Sequence, residues 1–156
     1  FDRNARSITY DYWHGQWKLD RDGNKPMFPF GFGCSYTNFS FSNPEVEVLE
    51  TVKFRCAVRN TGSRDGATVV QIFAGRINSA IERPKRRLVA FKRVEVRAGE
   101  TVQVECVAPL QNFATRDIQT HSWFVEQGLW NCEISQFSGD PDSSLVALTI
   151  DQRIEL

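Results

Sequence analysis

The sequence predicts an all-β fold, an antiparallel β-sandwich of about seven strands with an extended aromatic arm at its N-terminus. Two patterns predict it: short apolar runs alternate with polar residues at a period of two, and turn residues separate these runs roughly every 8 to 12 residues. In addition, no stretch shows the 3.6-residue periodicity of a long amphipathic helix. At 156 residues, with 41% hydrophobic and 24% charged residues, the chain is large enough for one globular domain with its own core.

Residues 1–38 are predicted to form the arm, and residues 39–156 the sandwich. The arm is rich in aromatic and poor in aliphatic residues, and it is too short to build a core of its own. Phe28, Phe30 and Phe32 are spaced two apart, so in an extended backbone their rings would project from one side. Burying one such ring contributes about 1.5 to 3 kcal/mol, and we therefore expect this side to lie against a partner surface.

The first half of the sandwich contains two strand patterns. Apolar and polar residues alternate in residues 52–58, which predicts a strand with one buried face. Turn residues at 60–66 end this strand. Residues 67–74 are apolar on both phases, as expected for a central strand, so the sequence does not assign their inward face.

The second half contains the remaining strands. In residues 88–96, the apolar positions Leu88, Phe91 and Val94 recur at an interval of three, which one face of a regular strand cannot accommodate. This spacing predicts a bulge or a switch of sheet. The elements predicted after it are a strand at 101–107, a crossover with one helical turn at 109–118, a hairpin at 123–134 around Gln127-Gly128, and a last strand at 145–150.

Residues 29–37 read Pro-Phe-Gly-Phe-Gly-Cys-Ser-Tyr-Thr. This run resembles the Pro-Phe-Gly-(Tyr/Phe)-Gly-Leu-Ser-Tyr-Thr signature that leads into the C-terminal fibronectin type III-like domain of family 3 glycoside hydrolases, the β-glucosidase and β-xylosidase family. Cys34 stands where the signature has Leu, and a small buried thiol can replace a small hydrophobic residue. Residues 12–23 resemble the approach to that signature, with Gln16 in the place of the usual Tyr. Further segments that resemble landmarks of the domain follow in order at 83–94, 98–101 and 125–128.

The resemblance implies a fibronectin type III/immunoglobulin-like sandwich and a parent enzyme that hydrolyses β-glycosides with retention of configuration. The family's two catalytic carboxylates come from a barrel domain and an α/β domain, for which 156 residues leave no room. We therefore assign no catalytic residue and expect no glycosidase turnover from the isolated chain. Because the sequence starts at Phe1 and not at Met, we expect a piece of a longer polypeptide. The resemblance favours a secreted or periplasmic protein, whose export signal would lie upstream.

The first functional hypothesis is structural: the arm docks on the catalytic domains of the parent glycosidase, supplied by the same chain or by a separate one, and steadies their placement. The alternative is a carbohydrate-binding module that holds polysaccharide by stacking on Trp13 and Trp17. A third hypothesis, an independent adhesive sandwich, is disfavoured by the order of the landmarks. The candidate interface or carbohydrate-contact residues are Trp13, His14, Trp17, Phe28, Phe30, Phe32 and Tyr36.

Other classes of partner have little support. The formal net charge is +0 and no apolar run approaches the roughly 20 residues of a membrane span, so we expect neither nucleic acid nor membrane binding. The basic residues at 83–87 are expected to form a solvated loop or to face a neighbouring acidic domain. No cofactor is predicted, and no metal, because the two histidines are far apart in sequence. Residues 20–24 begin like a calcium loop, but the position of Gly23 fits a plain Asp-Gly turn.

The cysteines form no Cys-x-x-Cys pair, which argues against a zinc knuckle or a thioredoxin-type site. Of the four cysteines, Cys56, Cys106 and Cys132 occupy the apolar phase of predicted strands and are expected to be buried free thiols. A Cys56–Cys106 bridge between neighbouring strands is the alternative, and it would imply an oxidising compartment.

Overall fold

The computed structural model describes residues 4–156, so residues 1–3 of the predicted arm lie outside the described residues. One α-helix, one 3₁₀ helix and ten strands are present in the described part. The helices are α1 (Gly15–Asp22) and the 3₁₀ helix Leu110–Phe113; the strands are β1 (Phe39–Val48), β2 (Thr51–Asn60), β3 (Gly66–Arg76), β4 (Arg87–Val96), β5 (Thr101–Pro109), β6 (Thr115–Arg116), β7 (Trp123–Val125), β8 (Gly128–Ser135), β9 (Ser144–Ile150) and β10 (Ile154–Glu155). None of the helices in residues 4–156 has the length and apolar character needed to cross a membrane.

Seven of the strands form an antiparallel sandwich, which confirms the predicted fold class. A three-stranded sheet in the order β1-β2-β5 faces a four-stranded sheet in the order β4-β3-β8-β9, and a small third sheet has the order β10-β7-β6. The core between the two large sheets takes the predicted apolar face of β2, including Phe54 and Val58. From β3 it takes Val70, Ile72 and Ala74, which settles the inward face of that strand.

The interval of three in β4 corresponds to a bulge, as predicted. The β3–β4 register shifts between Ile72, which pairs with Ala90, and Phe73, which pairs with Leu88. Val89 is therefore the extra residue, and both Val89 and Ala90 are buried. The predicted helical turn in the crossover is also present, as the 3₁₀ helix that follows β5.

The predicted hairpin at 123–134 is wrong. β7 pairs with β6 and β10 in the small sheet, whereas β8 pairs with β3 and β9 in the four-stranded sheet. Gly128 has a φ of +114°, a conformation that L-residues rarely adopt. The turn before β8 therefore carries the chain from one sheet into another and does not fold it back along β7.

The arm is not extended throughout, in contrast to the prediction. Its helix α1 carries two i,i+4 side-chain pairs, Gln16 Nε2 to Asp20 Oδ1 at 2.9 Å and Lys18 Nζ to Asp22 Oδ2 at 2.6 Å. The helix ends at Gly23, whose φ of +72° forms a left-handed cap. With two turns and few apolar positions, α1 has too weak a periodicity to be recognised in the sequence.

A turn also interrupts the Phe-Pro-Phe-Gly-Phe run. The amide of Phe32 donates to the carbonyl of Pro29 at 3.0 Å, and Gly31 at the third position has a φ of +84°. The rings of Phe28 and Phe32 consequently lie together, with centroids 5.7 Å apart, while Phe30 contacts the sandwich. The prediction that all three rings share one side is therefore wrong.

Cys56, Cys106 and Cys132 are buried and unbridged, which confirms the free-thiol prediction over the Cys56–Cys106 bridge. Burial raises the pKa of Cys56 to about 12, that of Cys106 to about 11 and that of Cys132 to about 12. These thiols therefore act as small core residues. Cys34, in contrast, is exposed.

Candidate docking surface

The rings around α1 form a first aromatic cluster. The Tyr12 ring contacts both Trp13 and Trp17, at centroid distances of 5.2 and 5.7 Å. His14 lies 6.2 Å from Trp17, and its Nδ1 is 2.9 Å from the carbonyl oxygen of Asp11. Both tryptophans are half-buried, whereas Tyr12 and His14 are exposed. Each tryptophan thus packs on a neighbouring ring and keeps part of its surface in solvent.

The rings of the signature form a second cluster. Phe32 contacts Phe28 in a tilted arrangement and Phe137 edge to face, with centroids 5.7 and 5.4 Å away. Despite these contacts, Phe28, Phe30 and Phe32 remain 68%, 52% and 42% exposed. This is a large amount of unburied ring surface for one short segment. We call the two clusters together with Phe30 the aromatic surface.

The backbone that carries these rings is fixed to the sandwich. The amide of Ser138 donates to the carbonyl of Phe30 at 2.9 Å, and the amide of Phe30 donates to Oε1 of Gln16 at 3.2 Å. The side-chain amide of Gln71 on β3 donates to the carbonyl of Gly31 at 3.3 Å. The arm therefore presents its rings from an anchored turn and not from a free tail.

The arm covers the outer face of the four-stranded sheet, which explains why β3 is apolar on both phases. Phe73 points away from the sandwich core and is only 3% exposed, because Phe30 packs on it edge to face at 6.3 Å. Gln71, on the same outer face, is buried as well. A central strand with apolar outward positions was the signal in the sequence that something lies on this face.

A charged cluster ties α1 to the same sheet face. Nε of Arg86 lies 3.6 Å from Glu133 on β8 and 4.0 Å from Asp20 on α1. Burial raises the pKa of Glu133, an effect that Arg86 opposes and that Asp20 and Asp140 reinforce. The sequence analysis missed this cluster, because its members come from three separate elements.

The basic loop at 83–87 is only partly solvated: Lys85 and Arg87 are exposed, as predicted, whereas Arg83 and Arg86 are half-buried. Nη2 of Arg83 lies 3.1 Å from Glu126, which also accepts from Ser79 at 2.7 Å. The Arg83 guanidinium stacks on the Trp130 ring at 5.2 Å from its centroid, and Arg86 belongs to the charged cluster. Half-buried carboxylates of the same chain thus pair with Arg83 and Arg86, whose charges the sequence left to solvent or to an acidic neighbour.

A cavity of about 440 Å³ lies between α1 and the sheet. Its apolar wall consists of Trp17, Phe30, Phe73 and Leu88. Its polar lining residues are His14, Gln16, Arg86, Arg87 and Ser138.

The structure brings six of the seven candidate residues into the aromatic surface. The seventh, Tyr36, is 92% exposed, and no ring contact joins it to either cluster within residues 4–156. Nor does this part of the chain hold three His, Cys, Asp or Glu side chains close enough to bind a metal ion. The plain Asp-Gly turn predicted at residues 20–24 is instead the last turn of α1, which Gly23 caps.

Comparison with known sequences places a named domain within the sandwich. The family profile for the fibronectin type III-like domain matches residues 68–138. The chain is 31% identical over 126 residues to thermostable beta-glucosidase B of Acetivibrio thermocellus, covering 78% of this chain and 17% of that protein. It is 37% identical over 116 residues to probable beta-glucosidase I of Aspergillus fumigatus, covering 67% of this chain and 14% of that protein. The chain thus spans less than a fifth of the curated relatives that it matches.

Solved structures of β-glucosidases also match this chain over a small part of their own length. Beta-glucosidase 3B of Thermotoga neapolitana superposes with a TM-score of 0.85 at 26% identity, over 94% of this chain and 20% of that one. The GH3 beta-glucosidase of Bifidobacterium adolescentis superposes with a TM-score of 0.80 at 28% identity, over 88% and 20%. DesR, a beta-glucosidase of Streptomyces venezuelae, gives a TM-score of 0.79 at 32% identity, over 86% and 18%.

Proposed function

Because this chain is a fibronectin type III-like domain of the family 3 glycoside hydrolases, we propose that its aromatic surface docks on the catalytic part of a β-glucosidase and steadies it. The domain supplies no catalytic group in this proposal. Hydrolysis of β-glucosides is the activity of the parent, whose remaining polypeptide carries the chemistry.

The observation that carries the proposal is an anchored arm with unburied rings. Both backbone groups of Phe30 are hydrogen-bonded, the amide to Gln16 and the carbonyl to the amide of Ser138. The neighbouring rings of Phe28 and Phe32 nevertheless keep much of their surface in solvent. Each of these rings would contribute about 1.5 to 3 kcal/mol if fully buried. Interfaces between domains of one chain bury about 600 to 1,500 Å², which two such clusters can anchor.

The geometry offers less support for the polysaccharide alternative. The Tyr12 ring packs on both indoles, at centroid distances of 5.2 Å from Trp13 and 5.7 Å from Trp17. The guanidinium of Arg21 also covers Trp13, at 4.9 Å from the ring centroid. Contacts within the arm therefore already occupy part of the surface of both tryptophans.

The test compares one double variant, Phe28→Ser with Phe32→Ser, in the isolated chain and in the full-length parent. In the isolated chain Phe28 is 68% and Phe32 is 42% exposed, so we expect the free energy of unfolding to fall by about 1 to 2 kcal/mol, from the ring surface that is already buried. In the parent we expect a larger loss, about 3 to 5 kcal/mol, because both rings also leave the contact with the catalytic part. Thermal unfolding followed by calorimetry measures both.

The matched control is Leu49→Ser, at an exposed apolar residue in the turn between β1 and β2. The two strands that this turn joins belong to the three-stranded sheet, whereas the arm covers the four-stranded one. We expect this control to change both proteins equally. An equal effect of the phenylalanine variant on the chain and on the parent would refute docking through the aromatic surface.

A further inference from the structure

We propose that the charged cluster between α1 and the outer face of the four-stranded sheet is a pH-sensitive latch, which holds the arm on the sheet more tightly at mildly acidic than at neutral pH. The cluster consists of Asp20 on α1, Arg86 in the segment before β4, Glu133 on β8 and Asp140 in the loop after β8. Its consequence for the aromatic surface rests on the docking function proposed above, whereas the latch itself is a property of this chain.

Three carboxylates of the latch face one guanidinium. Nε of Arg86 lies 3.6 Å from Oε1 of Glu133 and 4.0 Å from Oδ2 of Asp20, so these two carboxylates share one cationic group. Asp140 adds a third negative charge near Glu133, and its oxygens accept from backbone amides at 3.2 and 3.0 Å. When all three carboxylates are ionised, the latch therefore carries more negative than positive charge.

The surroundings of the latch make this excess charge unfavourable. The side chains of Asp20, Arg86 and Glu133 are all less than a quarter exposed. On its two neighbouring strands, Glu133 is flanked by the apolar register partners Phe73 and Leu145. Weak solvation and a neighbouring like charge both disfavour the ionised form of a carboxyl group. Uptake of one proton by the latch relieves both.

The backbone at Gly139 restricts the position of the shared guanidinium. A Cβ at Gly139 would collide with Nη1 of Arg86, so the guanidinium lies directly against this backbone. Gly139 has a φ of +73°, a conformation that favours glycine. Because Arg86 is held between the two carboxylates, the charge on Glu133 decides how strongly Arg86 attracts Asp20.

Protonation of Glu133 sets the strength of the latch. Burial raises the pKa of Glu133, an effect that Arg86 opposes and that Asp20 and Asp140 reinforce. Detachment of α1 would remove Asp20 and admit water, so Glu133 binds its proton more tightly in the latched than in the detached state. The latch is therefore strongest below the pKa of the detached state, and it weakens as the pH rises through the raised pKa of the latched state.

Helix α1 transmits the state of the latch to the aromatic surface. Oε1 of Gln16 on α1 accepts from the amide of Phe30 at 3.2 Å, and Trp17 on α1 belongs to the first aromatic cluster. With 8 residues, α1 is shorter than the roughly 12 to 15 residues that an isolated helix needs in water. A detached α1 would therefore lose its helical hydrogen bonds and, with them, the contact between Gln16 and Phe30. A closed latch keeps Trp17 and the turn at Phe30 in the arrangement that docking uses.

Hydrogen exchange of the α1 backbone amides in this chain tests the latch. Exchange of residues 19–22 is measured by mass spectrometry at pH 5 and at pH 8. Dividing each rate by that of an unstructured peptide at the same pH gives the protection of the helix. Because Glu133 binds its proton more tightly in the latched state, we expect protection to be about three- to tenfold greater at pH 5 than at pH 8. Equal protection at the two pH values would overturn the latch.

Three variants identify the group that titrates. Glu133→Gln imitates the neutral carboxyl group, so α1 should keep its pH 5 protection at both pH values. Glu95→Gln is the matched control, because Glu95 is exposed on β4 and pairs with Arg93 at 2.8 Å, away from the latch. His14→Gln tests the other titratable group beside Arg86, since His14 lines the same cavity. We expect the wild-type ratio in both Glu95→Gln and His14→Gln. A ratio that persists in Glu133→Gln, or that disappears in His14→Gln, would overturn the latch.

The same exchange data show whether α1 opens on its own. We expect the α1 amides to exchange faster than the amides of the central strand β3, because the latch opens while the sandwich stays folded. Exchange of both elements at one rate would mean that α1 opens only in global unfolding, and it would overturn the latch. Such a failure leaves docking intact, because docking is tested by the Phe28 and Phe32 variant in the parent. Failure of that variant, with a pH-dependent α1 here, would refute docking and keep the latch.

Discussion

Gly31→Ala should release the turn that presents Phe30, because the backbone at position 31 and the space around it both require glycine. Gly31 has a φ of +84°, a region that costs an L-residue about 1 to 2 kcal/mol. A Cβ there would also collide with the side-chain amide of Gln71. That amide donates to the carbonyls of Gly31 and Gln136, and losing two hydrogen bonds costs about 1 to 3 kcal/mol.

The backbone cost and the hydrogen-bond cost add up to about 2 to 5 kcal/mol. They destabilise the contact between the turn and the sandwich more than the whole fold, because the turn can detach while the sandwich stays folded. The amide of Ser138 reports the detachment, because it donates to the carbonyl of Phe30 at 2.9 Å. We expect hydrogen exchange of this amide to accelerate by about 30-fold or more, with a smaller change in melting temperature.

Gly33→Ala is the matched control in the same signature. No heavy atom lies within 4 Å of a Cβ at Gly33, and its backbone is not among the positive-φ glycines. We expect Ser138 exchange to stay at the wild-type rate in this control. If Gly31→Ala behaved like Gly33→Ala, the account of the anchored turn would be wrong.

Three further predictions concern the isolated chain. Gly75→Ala should destabilise it by about 1 to 3 kcal/mol in urea unfolding, because a Cβ there collides with the backbone carbonyl of Lys85; an unchanged midpoint would contradict this. Burial raises the pKa of Glu133, so the folded state holds that proton more tightly than the unfolded state, and stability should fall as the pH rises from about 4.5 through the raised pKa. Glu133→Gln should flatten this slope, and an identical pH profile in the variant would argue against it. Ellman's reagent at pH 8 should titrate Cys34 at once and the three buried thiols only after denaturation, since burial keeps them protonated; rapid reaction of all four would contradict the core assignment.

Alternation at a period of two was the most reliable feature of the sequence. It identified the buried face of β2, and its interruption by an interval of three identified the bulge of β4, because a side chain's direction in a strand depends on the position of its own residue along the strand. The prediction of a hairpin at 123–134 was wrong, because sheet pairing depends on more than the local pattern. Turn residues show that the chain reverses, but they do not show which sheet receives the next strand.

The sequence identified an aromatic segment but not the shape that the segment takes. The aromatic content of residues 4–38 indicated a covering arm, and the apolar outward residue Phe73 supports it. The signature run itself suggested three rings on one side. Gly31 permits either an extended or a left-handed backbone, so the run alone could not reveal the turn.

The sequence by itself determined the sandwich, its core strands and the presence of an aromatic arm, because these follow from local periodicity and composition. Only the tertiary structure decided which rings stay in solvent, how Asp20, Arg86 and Glu133 meet, and where the cavity between α1 and the four-stranded sheet lies. Those features depend on contacts between residues that are far apart in the chain. Their geometry is set by the packing of the whole sheet face, which no local pattern records.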